Sequence, residues 1–244
     1  MALTEVKSGS EEVMRAQTSL WSHIFNYIDS MSLKCAIELG IPDAIHSHGK
    51  PITLPELLAA LSISPAKATH MHRLMRMLTH SGIFARSNAD DDSSDEVYSL
   101  ATVSGLLVGN KGCASLSSFL LAMLHPVLVN PFQSLGTWFK SDEPTPFSVE
   151  HGSNVWEITD RNPQFNKVFN EGMASDAKFL MDVLLKNCGH VFDGVNSLVD
   201  VGGGTGSVAI AISEAFPDIK CSMLDLPQVY QWHNREGRCR FHCR

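Results

Sequence analysis

Residues 198–206 read LVDVGGGTG. Leu198, Val199 and Val201 predict a short buried strand with the acid Asp200 inside it. Gly202, Gly203, Gly204 and Gly206 predict a tight turn that opens into a helix near Ser207. Glycines allow positive φ and let a backbone approach a ligand with no Cβ in the way. The first amides of the following helix have no partner inside the helix. Strand, glycine turn and helix N-terminus together form a cradle for an anion, either a phosphate or the carboxylate of an amino-acid moiety.

The spacing favours the carboxylate, although relaxed dinucleotide fingerprints accept alanine at the last position. A dinucleotide fingerprint needs GxGxxG. Here the sixth position is Ser207 counted from Gly202 and Ala209 counted from Gly204, so neither count fits. The observed pattern, an acid in the strand and then Gly-x-Gly-x-Gly, is that of S-adenosylmethionine sites in Rossmann-like methyltransferases. A second strand is predicted over residues 219–224, ending in Asp225, which is 23 residues after Gly202. An acid at that strand end accepts hydrogen bonds from ribose hydroxyls. NAD would use it as well, so Asp225 supports a nucleoside cofactor without choosing one.

Composition narrows the setting. The chain has 244 residues, 44% of them hydrophobic, and a net charge of −7. That balance argues against a general affinity for nucleic acid, which needs many phosphate-neutralising cations. No run approaches the roughly 18 apolar residues of a membrane helix, and the N-terminus MALTEVKSGSEE is too polar for a secretory signal. The six cysteines include no CxxC pair. They are expected to be reduced thiols of a cytoplasmic protein.

Upstream of the glycine turn the pattern is mostly helical. Val13, Leu20, Ile24 and Ile28 fall at helical spacing within residues 10–39, beside Trp21, Phe25 and Met31. A helix this rich in apolar and aromatic groups needs a core or a partner to cover it. Pro42-Asp43, the capping box Thr53-Leu-Pro-Glu56 and Ser64-Pro65 each start a short helix. The last of these stops at Gly82. Strands at 83–85 and 97–100 flank the acidic connector 90–96, read as a solvated loop, and complete a winged-helix pattern. Residues 115–139 are predicted helical but bent by Pro126 and Pro131, 140–152 a polar loop, and 155–186 a long helix broken at Asn162-Pro163. Phe165, Phe169 and Met173 stand at i, i+4 and i+8, hence on one helix face. Such a face is either core or a wall for a flat aromatic ligand.

VDVGGGTG followed by LDLPQV resembles the plant small-molecule O-methyltransferases that act on phenylpropanoids, flavonoids and isoflavonoids, most closely the isoflavonoid type. WSHIFNYIDSMSLKCAIELGIPDAI is similar to their dimerisation helices, HRLMRMLTHSGIFA to their winged-helix segment, and NPQFNKVFNEGMASDA to the helix lining their acceptor pocket. The resemblance implies an α/β Rossmann-like methyltransferase domain, incomplete here, preceded by a mostly helical winged-helix dimerisation domain. It divides the chain into a dimerisation domain at 1–110, linker and pocket helices at 111–190, the start of the Rossmann-like domain at 191–229, and a divergent tail at 230–244. It further implies that Gly202, Gly203 and Gly204 contact S-adenosylmethionine, that Asp225 holds its ribose, and that Phe165, Phe169 and Met173 contact a phenolic acceptor, with the stretch 123–128, which includes Met123, as another wall of the pocket. The implied partner is a second copy bound through the N-terminal domain. No nucleic acid, membrane or metal is implied.

The match stops before the family's catalytic histidine and its adenine-gripping residues, so no catalytic residue is assigned. The tail YQWHNREGRCRFHCR is basic and shows no strand pattern, and its His233, Cys239, His242 and Cys243 fit no standard zinc spacing. The expectation is a C-terminally truncated methyltransferase that lacks its base. Two parallel strands alone would leave apolar surface uncovered. The rivals are an inactive dimerisation partner of longer relatives and, through His70, His72, Arg73 and Arg76, a winged-helix DNA binder.

Overall fold

The computed structural model describes residues 10–88, 95–109, 115–226, 229 and 240–243. Helix α1 runs over Ser10–Glu38, with Glu11 and Glu12 in its first turn, where carboxylates suit the positive end of the helix dipole. Near its C-terminal end, Leu33 and Ala36 dock into a core. Its first two thirds leave Val13, Leu20, Trp21, Ile24 and Phe25 about half exposed.

Gly40 and Gly49, both at positive φ, bracket α2 (Ile41–His48). After β1 (Ile52–Thr53) comes α3 (Leu54–Ala60), started by the predicted capping box. The Glu56 amide donates to Thr53 Oγ1 at 3.4 Å and the Thr53 amide donates to Glu56 Oε2 at 2.9 Å. A 3-10 turn at Pro65–Lys67 leads into α4 (Ala68–His80). Strands β2 (Phe84–Asn88) and β3 (Glu96–Leu100) pair antiparallel, with Arg86 opposite Tyr98. The sheet order is β1-β3-β2, so the wing has one more strand than predicted. Its core holds Ile41, Ile52, Leu57, Met75, Phe84 and Tyr98. Residues 90–94 of the acidic connector lie outside the described residues.

The middle of the chain is a series of short helices: α5 (Thr102–Gly105), α6 (Ser117–Met123), α7 (Pro126–Val129), a 3-10 turn at Asn130–Ser134, α8 (Leu135–Trp138), α9 (Pro146–His151) and α10 (Val155–Arg161). Pro126 and Pro131 divide the 115–139 stretch as expected. The loop expected at 140–152 is corrected: it contains α9. Thr145 Oγ1 accepts from the Ser148 amide at 3.1 Å, and Pro146 sits in the first turn, where a missing N–H costs nothing.

Helix α11 (Pro163–Cys188) starts at Asn162, whose Oδ1 accepts from the Phe165 amide. It leads through a 3-10 turn at Gly189–Phe192 to β4 (Ser197–Val201), then α12 (Ser207–Ala215) and β5 (Lys220–Asp225). A third parallel strand, β6 (Arg240–Cys243), pairs with β5, and the order is β4-β5-β6. The expectation of a tail with no strand is therefore corrected. Four residues of mixed polarity pair through backbone groups alone, which a hydropathy pattern does not register.

Helices α11 and α12 cover one face of this sheet. Met181, Ala209, Ile212 and Cys221 form the core there, with the Phe192 and Phe216 rings 5.3 Å apart. The opposite face is open as expected: Val199 is 62% and Val201 72% exposed. No single helix among the described residues is long and apolar enough to cross a membrane. Cys35 and Cys188 are free thiols.

Candidate functional site

Parallel pairing sets Asp200 opposite Met223 and Val201 opposite Leu224, so the turn after β4 and the end of β5 lie side by side. This is the C-terminal edge of a parallel sheet, where α/β folds bind ligands. The Gly202 amide donates to Leu224 O at 2.8 Å, and the Gly206 amide to Gly203 O at 2.8 Å. Gly202 (φ +74°) and Gly204 (φ +57°) have open space where a Cβ would be, so both are turn-forming and approachable. At Gly203 the reason for glycine is different. A Cβ there would lie 2.5 Å from Met223 Cγ and 2.8 Å from Asp200 Oδ2. Gly206 (φ +77°) caps α12, whose first amides face the turn.

Two carboxylates meet at this turn. Asp225 Oδ2 accepts from the Gly204 amide and Oδ1 from the Leu226 amide, each at 2.6 Å. The acid expected to hold ribose thus also ties down the glycine turn. Asp200 points to the covered face, and its buried Oδ2 has no hydrogen-bond partner. Burial pushes the Asp200 carboxyl above its ordinary range, an amide bond from Ala209 pulls the other way, and nearby Asp225 pushes it up again. An orphaned carboxylate oxygen beside an open glycine turn and a helix N-terminus suits an amino acid: a cation for Asp200 and a carboxylate for the amides. The residues therefore fit S-adenosylmethionine at its methionine and ribose ends.

The second part of the site is an aromatic wall on α11. Phe165 is 1% exposed, and its ring lies 5.9 Å from that of Phe169. Phe169 meets Trp156 edge-on at 6.1 Å, and Phe165 meets His125 at 5.0 Å. Phe169, Met173 and Met123 are half-buried. Helices α6 and α11 cross at Gly172, where a Cβ would meet Ala122 Cβ at 2.5 Å; this contact brings the end of α6, with Met123, over α11. Buried Asn170 Nδ2 donates to Asn166 Oδ1 at 2.7 Å on the same helix. His125 lies within the 123–128 stretch read as a wall, though its ring was not singled out; the His-Pro pair at 125–126 is a helix-start signal that could have marked it. Trp156 was not singled out, and nothing in the spacing marked it.

Other expectations also meet the structure here. His72 Nε2 lies 3.3 Å from Glu96 Oε2, and Arg86 donates to Glu96 Oε1 at 2.6 Å, so the winged-helix face carries its own acid. Among the described residues no cluster of three metal-ligating side chains occurs. His233 and Cys239 lie outside them.

A helical, winged-helix-like unit, an aromatic pocket helix and a parallel βαβ cradle together define a cofactor-binding α/β protein of the methyltransferase class. Known proteins agree. The model for the O-methyltransferase dimerisation domain matches residues 21–110, and that for the O-methyltransferase domain matches residues 132–240. Trans-resveratrol di-O-methyltransferase of Vitis vinifera is 50% identical over 90% of this chain and 61% of its own length. The 8-hydroxyquercetin 8-O-methyltransferase of Mentha piperita is 44% identical over 94% of this chain and 64% of its own. Among solved structures, human N-acetylserotonin methyltransferase in complex with S-adenosylmethionine matches with TM-score 0.75 at 16% identity, over all of this chain and 68% of that one. Mitomycin 7-O-methyltransferase matches with TM-score 0.66 at 24% identity, over 91% of this chain and 62% of that one; both speak for the fold. The chain belongs to the plant O-methyltransferase family, whose cofactor is S-adenosylmethionine. It spans about three fifths of the length of the curated relatives it matches.

Proposed function

We propose that this chain holds S-adenosylmethionine in the turn at Gly202, Gly203 and Gly204, with Asp225 on the ribose. A phenolic acceptor would lie against Phe169, Met173 and Met123, with buried Phe165 behind them rather than in contact, for methylation at a hydroxyl oxygen. The observation that carries this reading is the cradle: glycine turn, helix N-terminus, Asp225, and the unpartnered oxygen of Asp200. When bound, S-adenosylmethionine supplies a sulfonium methyl already activated for in-line attack. The chain's own work is then to position the acceptor and exclude water, with Phe169 and the Trp156 ring set edge-on to it as the apolar surface and buried Phe165 backing them. The substrates of the resveratrol and hydroxyquercetin enzymes are polyphenols by name, and the wall is suited to such rings. The free thiols of Cys35 and Cys188 support a reducing, cytosolic compartment.

Among the described residues of this wall no group has a free lone pair set to remove the phenol proton. We therefore also propose that the chain binds its ligands without turning over. Calorimetry with S-adenosylhomocysteine tests the cradle, and a methylation assay on stilbenes and flavonols tests the finer reading. Binding in the micromolar range without methyl transfer is expected; no binding sinks the first reading, and turnover sinks the second.

A second reading, a dimerisation partner of longer relatives, draws support from the half-exposed Leu20, Trp21, Ile24 and Phe25 of α1. Co-expression with a full-length relative decides it: mixed dimers are expected, and their absence removes it.

A further inference from the structure

His125 stands at the junction of the aromatic wall and the start of α7. Its Nδ1 accepts a hydrogen bond from the Val127 amide at 3.3 Å, capping the helix. A ring nitrogen that accepts carries no proton, so the neutral imidazole holds its hydrogen on Nε2. Burial, and then Lys34 on α1, lower the ring's affinity for a second proton. The ring leans on Phe165, which continues through Phe169 to Trp156. Among the described residues Nε2 has no hydrogen-bond partner, and it is not among the buried unsatisfied atoms. The result is one N–H donor, fixed in tautomer, on a half-buried ring packed against Phe165.

We propose that His125 is a positioning residue that donates from Nε2 to an acceptor oxygen of the bound phenol, a ketone or ring-ether oxygen remote from the reacting hydroxyl. This rests on the reading of the α11 face as the acceptor site. A protonated Nε2 suits this role and not that of general base, which needs a free lone pair toward the substrate. The donor would select among phenols of similar shape by their oxygen pattern, because a polar group left unmatched at an apolar wall costs binding.

The test is calorimetric binding of two probes of near-equal size, 4-hydroxyacetophenone and 4-ethylphenol, to the full chain and to His125→Asn. Asparagine keeps an oxygen to cap Val127 and removes the remote donor. The unmodified chain is expected to prefer the ketone by about fivefold, the usual worth of one neutral hydrogen bond. His125→Asn is expected to lose that preference while keeping its affinity for 4-ethylphenol. Should the variant fold poorly, ¹⁵N-histidine NMR of the unmodified chain decides, with His125 assigned through contacts to the Phe165 ring. The Nε2 resonance should move on adding the ketone and stay still with 4-ethylphenol. An unchanged ketone preference in the variant, or an unmoved Nε2 resonance, overturns the role of His125 and leaves the pocket standing. If neither phenol binds, the acceptor-site reading fails and this role falls with it.

Discussion

The Gly204 amide donates to Asp225 Oδ2 at 2.6 Å, so the glycine turn after one strand is latched to the acid at the end of the next. The bond is charge-assisted and therefore stronger than a neutral one. Asp225→Ala should lose this latch and, with it, the proposed ribose acceptor. The expected result is a loss of at least tenfold in S-adenosylhomocysteine affinity by calorimetry, from the roughly 1.5–3 kcal/mol typical of a hydrogen bond to a charged group. An affinity within twofold of the original would show that Asp225 has no part in the cradle.

Asp200 separates binding from stability. Its carboxyl is pushed up chiefly by burial, so the folded chain without ligand resists its ionisation. A raised carboxyl favours the fold at acid pH, and that contribution is lost as pH rises through the raised value. Asp200→Asn, neutral at every pH, should leave the melting temperature near pH 7 unchanged or higher. It should lower S-adenosylhomocysteine affinity about tenfold, because an amide cannot pair with the amino-acid cation. Thermal melts and calorimetry on one sample read both; a lower melting temperature with intact affinity would contradict the assignment.

Gly203 and Gly202 should fail in different ways. Gly203→Ala drives a methyl into Met223, which is fully buried, and toward Asp200. Such overpacking costs about 1–3 kcal/mol. Gly202→Ala meets no atom but must hold φ +74°, a strain of about 1–2 kcal/mol. Pairing each with Met223→Ala in urea titrations distinguishes them: the smaller side chain should offset much of the Gly203→Ala loss and none of the Gly202→Ala loss.

His125 gives the chain a pH signature. Its imidazole is held below the ordinary histidine value by burial and then by Lys34, which itself lies 3.5 Å from Glu38. The folded chain therefore binds that proton less readily than the unfolded chain. The stability it contributes is present above about pH 6.5 and is lost as pH falls below that toward the lowered folded value. Protonating Nδ1 also removes the Val127 cap. Melting temperatures between pH 7 and 5 should fall more steeply for the original chain than for His125→Asn, and parallel slopes would count against the tautomer.

The cradle was readable from sequence because each part has a local cause: apolar residues make the strand, glycines make the turn, and Asp225 follows at a fixed distance. The capping box at Thr53 and the break at Asn162-Pro163 were readable for the same reason. What was not readable depends on pairing or docking. Strand β1 is only Ile52–Thr53 and exists because β3 lies beside it. Strand β6 is formed by backbone bonds to β5, not by its own pattern. Trp156 joins the wall from a different helix, a contact that no spacing along α11 encodes. Gly172 could be read as a helix weakness, whereas its role is to admit Ala122 at the crossing with α6.

Strand β5 is flanked on both sides, by β4 and β6, while β4 has a neighbour only on one side among the described residues. The two jaws of the cradle therefore differ in how often they open. Asp225 is mounted on the interior strand, whose amides should exchange with deuterium last. The glycine turn hangs from the edge strand, whose amides should exchange first. A ligand closing the two jaws would be felt mainly by the loose one. Occupancy of this site should then be legible as slowed exchange along Ser197–Val201, even in a chain that transfers no methyl group.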